Sequence, residues 1–511
     1  MLKIRYSAEL CGAGKTWWAC RHIAEKAGRY LLVVDRRAVF SDRKNLISRF
    51  ASEVGTFPKI VEIFSASDEW IGGRPDVRRA VREAGCEHAS QKHVVVLLTH
   101  EALKSSDLST YRDNWHCIID EVPTLWTHSE VCSPVLGQLL EKTYNLEPIL
   151  KEGWSALRVK ADGPSLTDYY ADTVLSGWGD IHRQIRDRDA FAKIGSWQDA
   201  ASRSSWSLVS IWNPESLRAF SQVTLLGNAF EHTVTYKLLE RHFGDVVKLE
   251  PFAVPTTRHV TWQPRKLLIR YFAKSHRAGS AFWATADGRE CLRRIPWWVN
   301  AHTQRGAHYW SCNNSLYGSG QVMDGRRVSP KIAGENGLRN LTCGTFIYSA
   351  KPSQREREAL SLFGISFDEV VRSREYEDLI QMLWRSSLRD AADTRSVEFR
   401  VYDQQQAELL LGFMAQAAPH VAVTLEQIDL GLDAFKPRKT GRPKKDLTVV
   451  EATAKKEREK LQAAERQRKR RQNRDADRDL DLRGDSGGQR GIDPPPFLAP
   501  SPGPSATPPP I

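Results

Sequence analysis

Apolar positions near the start of the chain fall into short unbroken runs separated by segments of helical spacing. Ile4 to Leu10 is followed by Trp17 to Ala27, and Tyr30 to Val34 leads through Asp35-Arg36-Arg37 into an amphipathic stretch, Ala38 to Phe50. Residues 66–92 read as helix and loop. His93 to Leu98 then ends at Thr99-His100-Glu101-Ala102-Leu103, and His116 to Ile119 ends at Asp120-Glu121. Runs without polar alternation suit strands buried on both faces, and their alternation with helices predicts a parallel sheet covered on both sides.

From Val122 to about Phe220 this rhythm stops, and the patterning predicts a mostly helical insertion. Its tryptophans, Trp154, Trp178, Trp197, Trp206 and Trp212, read as anchors of a small core, with base-stacking platforms as the alternative. Strand signal returns at Gln222 to Ala229. Pro251, Pro255 and Pro264 bracket a change of segment, after which Lys266 to Phe272 opens a second α/β region running to about Leu432. The expected organisation is an α/β chain with two parallel-sheet domains in tandem: 1–255, carrying the insertion at 122–220, then 256–432. A basic, largely disordered tail is expected over 433–511.

With 511 residues and 41% hydrophobic content, the chain can bury two domain cores and still leave a tail. No apolar stretch approaches the roughly 20 residues needed to cross a bilayer, and the first residues do not read as a signal peptide. A soluble, intracellular, cytoplasmic protein with no membrane partner is expected. Eight cysteines without a C-x-x-C pair indicate neither a zinc site nor a disulfide framework. From Lys436 onward, 19 Lys and Arg stand against 11 Asp and Glu, so +8 of the net +12 lies in the tail and +4 in the rest. An anionic partner for the tail follows from that asymmetry, with solubility as the plainer alternative.

The chemistry concentrates in a few places. In Leu10-Cys11-Gly12-Ala13-Gly14-Lys15-Thr16, two glycines let backbone N–H groups wrap a phosphate, Lys15 reaches the terminal phosphates, and the Thr16 hydroxyl can hold Mg²⁺. The strict pattern has a further Gly where this chain has Glu9, and a Gly-rich turn between strand and helix is the bland alternative. Asp120 and Glu121, at the end of a buried strand, suit a metal ligand and a water-positioning carboxylate. In Tyr376 to Arg389, helical spacing puts Gln381, Arg385 and Arg389 on one face, either facing a triphosphate or forming salt bridges on an exposed helix. A Gly/Asn-rich stretch, Ser329 to Asn340, feeds the strand Thr345 to Tyr348 and reads as a phosphate-contacting loop or a long turn. In the tail, Lys439-Thr440-Gly441-Arg442-Pro443-Lys444-Lys445 is a minor-groove element with Arg442 reaching in, or a basic linker.

In this order the residues resemble the superfamily 2 helicases, the DEAD/DEAH-like ATP-dependent motors, over roughly residues 5–415. Cys11 to Thr16 looks like motif I and Val34-Asp35-Arg36-Arg37 stands where motif Ia falls. Thr99 to Leu103 looks like the T-x-x-A-L element, and Asp120-Glu121-Val122-Pro123 like the DExx box. Leu226-Gly227-Asn228-Ala229 holds the motif III position, Gly337-Leu338-Arg339-Asn340 resembles motif V, and Gln381 to Arg389 resembles motif VI. Motif III reads Gly-Asn-Ala where the family usually has Ser-Ala-Thr, and the last motif VI arginine stands one residue further on.

The resemblance implies two RecA-like domains closing on ATP and Mg²⁺ and on a nucleic-acid strand, DNA favoured over RNA. It further implies a phosphate cradle of Gly12, Ala13, Gly14, Lys15 and Thr16, with Thr16 and Asp120 on Mg²⁺. Glu121 would position water and Gln381, Arg385 and Arg389 would act from the second domain, one arginine as the finger. Arg36, Thr99, His100, Arg339 and Arg442 are the expected nucleic-acid contacts. The expected function is an ATP-dependent helicase or translocase; a phage terminase-like ATPase/nuclease and an ATPase-inactive DNA-binding protein are the alternatives.

Overall fold

The computed structural model describes residues 1–9, 12–65, 76–112, 114–131, 137–171, 178–202, 205–255, 262–317, 322–331 and 337–435. The chain begins with β1 (Leu2–Ser7), β2 (Arg29–Val34), β3 (Lys59–Glu62), β4 (Val94–Thr99) and β5 (Trp115–Asp120). It then leaves this sheet for β6 (Trp126–Val131), β7 (Tyr144–Pro148), β8 (Ser155–Val159), β9 (Arg188–Ala192) and β10 (Trp206–Trp212). It returns with β11 (Gln222–Leu226) and β12 (Val247–Pro251).

The first sheet is wholly parallel, in the order β12-β1-β11-β5-β2-β4-β3. Residues Tyr30 to Val34 and Val94 to Leu98 are buried, as unbroken apolar runs require when helices cover both faces. A single strand, β11, separates the loop-bearing β1 from the acidic β5, so both end on the same edge of the sheet. Ligands in open parallel sheets bind at that carboxyl edge.

The second half contributes β13 (Arg265–Ala273), β14 (His308–Cys312), β15 (Arg326–Arg327), β16 (Cys343–Ile347), β17 (Val397–Asp403) and β18 (Val421–Gln427). They form another parallel sheet, β15-β14-β16-β17-β13-β18. The architecture is thus α/β with two parallel sheets in tandem.

The segment 122–220 corrects the expectation of a mostly helical insertion. It is a five-stranded antiparallel sheet, β6-β10-β9-β8-β7, with short helices such as Gly179–Asp187 beside it. Only β10, between β6 and β9, is buried along its whole length; β6, β7 and β8 mix exposed and buried positions within five or six residues. Such strands carry too little apolar signal to stand out in sequence. Trp154, Trp206 and Trp212 are buried in or under this sheet.

Residues 354–371 belong to the second half by sequence but fill the core of the first. Ala359, Leu360, Phe363, Ile365 and Val370 join one apolar cluster with Val209, Ile211, Leu239 and Phe243. The Phe363 ring lies 5.2 Å from His242 and 5.5 Å from Phe191. Arg241 pairs with Glu369 at 2.7 Å, and Arg355 reaches Glu130 of the insertion. No described helix is long and apolar enough to cross a membrane. Tail residues from 436 on, Arg442 included, lie outside the described residues.

Leu360 is fully buried in this shared core. Leu360→Ala should lower stability by about 2–5 kcal/mol, read as an earlier urea midpoint monitored from both halves. An unchanged midpoint would mean that the segment does not contribute to the core.

Candidate active site

The turn after β1 is built by glycine. Gly12 has φ +90° and Gly14 φ +87°, left-handed values that a side chain would oppose. Gly14 caps the helix Lys15–Glu25, whose amide groups open toward the carboxyl edge of the sheet. The Lys15 ammonium donates to the backbone carbonyl of Glu9. Glu9, where the strict pattern has glycine, also accepts the Val254 N–H through its carboxylate at 3.0 Å. It thereby ties the base of the loop to the chain that leaves the first sheet.

Across β11, Asp120 ends β5 and is 2% exposed. The Thr16 hydroxyl lies 2.9 and 3.0 Å from its two oxygens. Adjacent oxygens around Mg²⁺, bonded at about 2.1 Å, stand about 3 Å apart, so this pair of hard oxygen donors fits such an ion. Arg43 completes the surroundings, its Nε and one terminal nitrogen each 3.1 Å from Asp120 Oδ2. Sequence reasoning missed Arg43, although a signal was present. Helix Phe40–Val54 buries Phe40, Ile47, Phe50 and Ala51, and position 43 falls on that same stripe, a charge on the core face.

Glu121 has φ +74°, uncommon for a residue with a side chain. Its carboxyl is pushed up to about 7, by burial first and then by Asp120; Lys15 and Arg385 pull it down, and Glu377 adds to the rise. Arg385 comes from the second half and is itself buried. The segment that ends in Arg385 therefore meets the loop-bearing first half at the junction of the two halves.

Glu377 is a second residue the sequence reading did not single out. It accepts from Asn228 at 2.5 Å and from Gln381 at 2.8 Å, and burial raises its carboxyl. Asn228, in the Gly-Asn-Ala turn after β11, thus joins the first half to Gln381 through one carboxylate.

The expected single helical face of Gln381, Arg385 and Arg389 needs correction. The helix runs Glu377–Trp384, Arg385 is its cap, and Arg389 lies in a separate turn, Ser387–Arg389. Ser386 is extended and donates to the Leu383 carbonyl at 2.7 Å. Arg265 grips the Ser387 carbonyl and hydroxyl at 2.8 and 3.0 Å. Two serines anchored this way stop the helix before a third turn can align Arg389.

The expected nucleic-acid contacts are dispersed. Arg36 is half-exposed beside Asp35, and Arg339 is exposed. Thr99 caps the helix His100–Ser105 and lines a cavity of about 490 Å³ with Arg37, Phe64, Arg78 and Glu101. His100 is buried rather than facing solvent, and burial lowers its pKa against the pull of Asp35.

The parallel α/β core thus brings a glycine loop, a lysine, a threonine and a pair of acids to one sheet edge. No family model matches the chain, and no curated protein matches it. Among solved structures it is similar to apo XPD, at 10% identity and TM-score 0.33, covering 81% of this chain and 99% of that one. It is also similar to Dbp5 of S. cerevisiae bound to RNA and ADP BeF3, at 8% identity and TM-score 0.34, covering 83% and 85%. A DEAD box protein from Methanococcus jannaschii matches at 9% identity and TM-score 0.26, covering 84% and 89%. At TM-scores below 0.5, the functional reading rests on the geometry of the site.

A carboxyl raised from its ordinary 4.5 to about 7 favours folding while protonated, and that contribution fades as pH rises through the folded value. Glu121→Gln, neutral throughout, should therefore gain melting temperature over wild type as pH is raised from about 5 to about 8. A difference in melting temperature independent of pH would show that Glu121 titrates as an ordinary carboxylate.

Proposed function

We propose that this protein is a nucleic-acid-dependent ATPase, a helicase or translocase that hydrolyses ATP between its two parallel-sheet halves. The observation that carries the reading is the meeting, at one sheet edge, of the Lys15 loop, the Thr16–Asp120 pair at 2.9 and 3.0 Å, and Glu121, with the buried Arg385 of the second half beside that carboxylate. The loop amides and Lys15 would hold the phosphates, and Lys15 would exchange its bond to the Glu9 carbonyl for one to a phosphate oxygen. Thr16 and Asp120 would hold Mg²⁺, which when bound neutralises charge on the phosphates. Arg43 would then balance what remains on Asp120.

Glu121 would orient the attacking water and accept its proton. With its carboxyl pushed up to about 7, that requires the deprotonated form, so the rate should rise with pH through the neutral range. Arg385 would stabilise charge growing on the transferred phosphoryl group, the role of an arginine finger. Its place at Glu121, and the separate turn holding Arg389, favour Arg385 for that role.

DNA is the favoured track because of the basic Lys439 to Lys445 segment and the +8 charge of the tail. A terminase-like nuclease would need clustered metal-binding carboxylates, and among the described residues no group of three or more Asp, Glu, His or Cys side chains gathers for a metal.

ATP hydrolysis by wild type, Lys15→Ala, Glu121→Gln and Arg385→Ala, with and without single-stranded DNA or RNA, tests the proposal. Stimulation by one nucleic acid and a loss of about 10²-fold or more in each variant are expected. No hydrolysis by wild type with any nucleic acid would turn the reading toward a DNA-binding protein. Removing residues 436–511 should leave hydrolysis intact while lowering DNA affinity and the steepness of its salt dependence; unchanged binding would remove the tail from the interface.

A further inference from the structure

One side chain of the second half touches the phosphate loop but has no part in the proposed hydrolysis. Trp384 ends the helix Glu377–Trp384 and is 6% exposed. Its ring packs near Trp262 and Phe413, with centroids 6.1 and 6.3 Å away. The polar edge of the indole is turned to the loop: a Cβ placed on Gly12 would stand 2.9 Å from Nε1. Among the described residues this buried N–H has no hydrogen-bond partner.

An indole N–H can only donate, and a buried donor without an acceptor is unfavourable. The glycine turn that faces it presents backbone amides, which are themselves donors; Lys15 follows in the same loop, and Arg385 is the next residue after Trp384. A group that satisfies donors converging from both halves is a polyanion rich in acceptor oxygens, the phosphate chain of a nucleotide. Glycine at position 12 then has two reasons, its left-handed backbone and the room its missing side chain leaves for the indole.

We infer that Trp384 is a nucleotide-contacting residue contributed by the second half, its Nε1–H donating to a phosphate oxygen of a nucleotide seated in the phosphate loop. This rests on the phosphate-loop reading and adds a contact to it. Because Trp384 and Arg385 are consecutive, nucleotide would be held by the same short segment that supplies the finger. Binding would draw on both halves before any chemistry occurs.

The test is calorimetric binding of ADP and of the non-hydrolysable analogue adenylyl imidodiphosphate to full-length wild type, Trp384→Phe and Lys15→Ala. Trp384→Phe keeps an aromatic ring in the apolar pocket and removes the N–H. It should bind the analogue about tenfold more weakly, with its nucleotide-free melting temperature close to wild type. A Trp384→Phe protein that binds as tightly as wild type, while Lys15→Ala does not bind, would overturn the inference and leave the phosphate-loop reading standing. Failure of wild type to bind either nucleotide would overturn both.

A measurement on the wild-type sequence guards against a variant that merely packs badly. In fluorotryptophan-labelled protein, the fluorine resonance missing from the Trp384→Phe spectrum should shift when nucleotide is added. A resonance that stays in place would overturn the inference.

Discussion

Two carboxylates at the end of one buried strand set the terms for much of this structure. Asp120 is almost wholly removed from water, and Glu121 sits beside it with its charge disfavoured by burial and by its neighbour. An uncompensated buried charge costs several kcal/mol, so positive groups must come to it. They come from three separate places: Lys15 in the loop after β1, Arg43 on the helix Phe40–Val54, and Arg385 from the far half of the chain. The order β1-β11-β5 makes this possible by bringing loop and acid to one edge of the sheet with a single strand between them.

Irregular backbone gathers at the same place. Glu121 is left-handed, Ala229 in the turn after β11 has φ +42°, and Arg372–Tyr376 forms a π-helical turn just ahead of Glu377. A π turn holds one residue more than an α turn and so rotates the helix after it relative to the helix before it. Its Glu375 is buried, accepting from the Ala350 N–H at 3.0 Å and from Gln406 at 2.8 Å, which fixes the turn to the second sheet. Strained conformations of this kind persist where the surrounding structure over-determines them.

What the sequence made legible was whatever rests on composition over a few consecutive residues. The runs at Tyr30 to Val34 and Val94 to Leu98 are buried strands because nothing polar interrupts them. The glycine loop and the acidic strand end announce themselves for the same reason. What stayed hidden depends on partners distant in sequence. The strands of the insertion are short and half-polar, and pairing with one another stabilises them. The helix through Gln381 stops at Trp384 because Arg265, some 120 positions earlier, holds Ser387. Arg43 and Glu377 were visible as charges on helices, but their importance comes from Asp120 and Asn228 across the fold.

The segment 354–371 changes how such a chain can be made. A domain that leads in sequence ordinarily folds first as synthesis proceeds from the N-terminus. Here the apolar cluster around Val209, Phe243 and Leu239 is completed by Leu360, Phe363 and Val370. The first sheet therefore waits, with that face open, until more than a hundred further residues have left the ribosome. The two halves mature together, and a cut between β12 and β13 would separate neither a finished first half nor a second half free of exposed apolar surface.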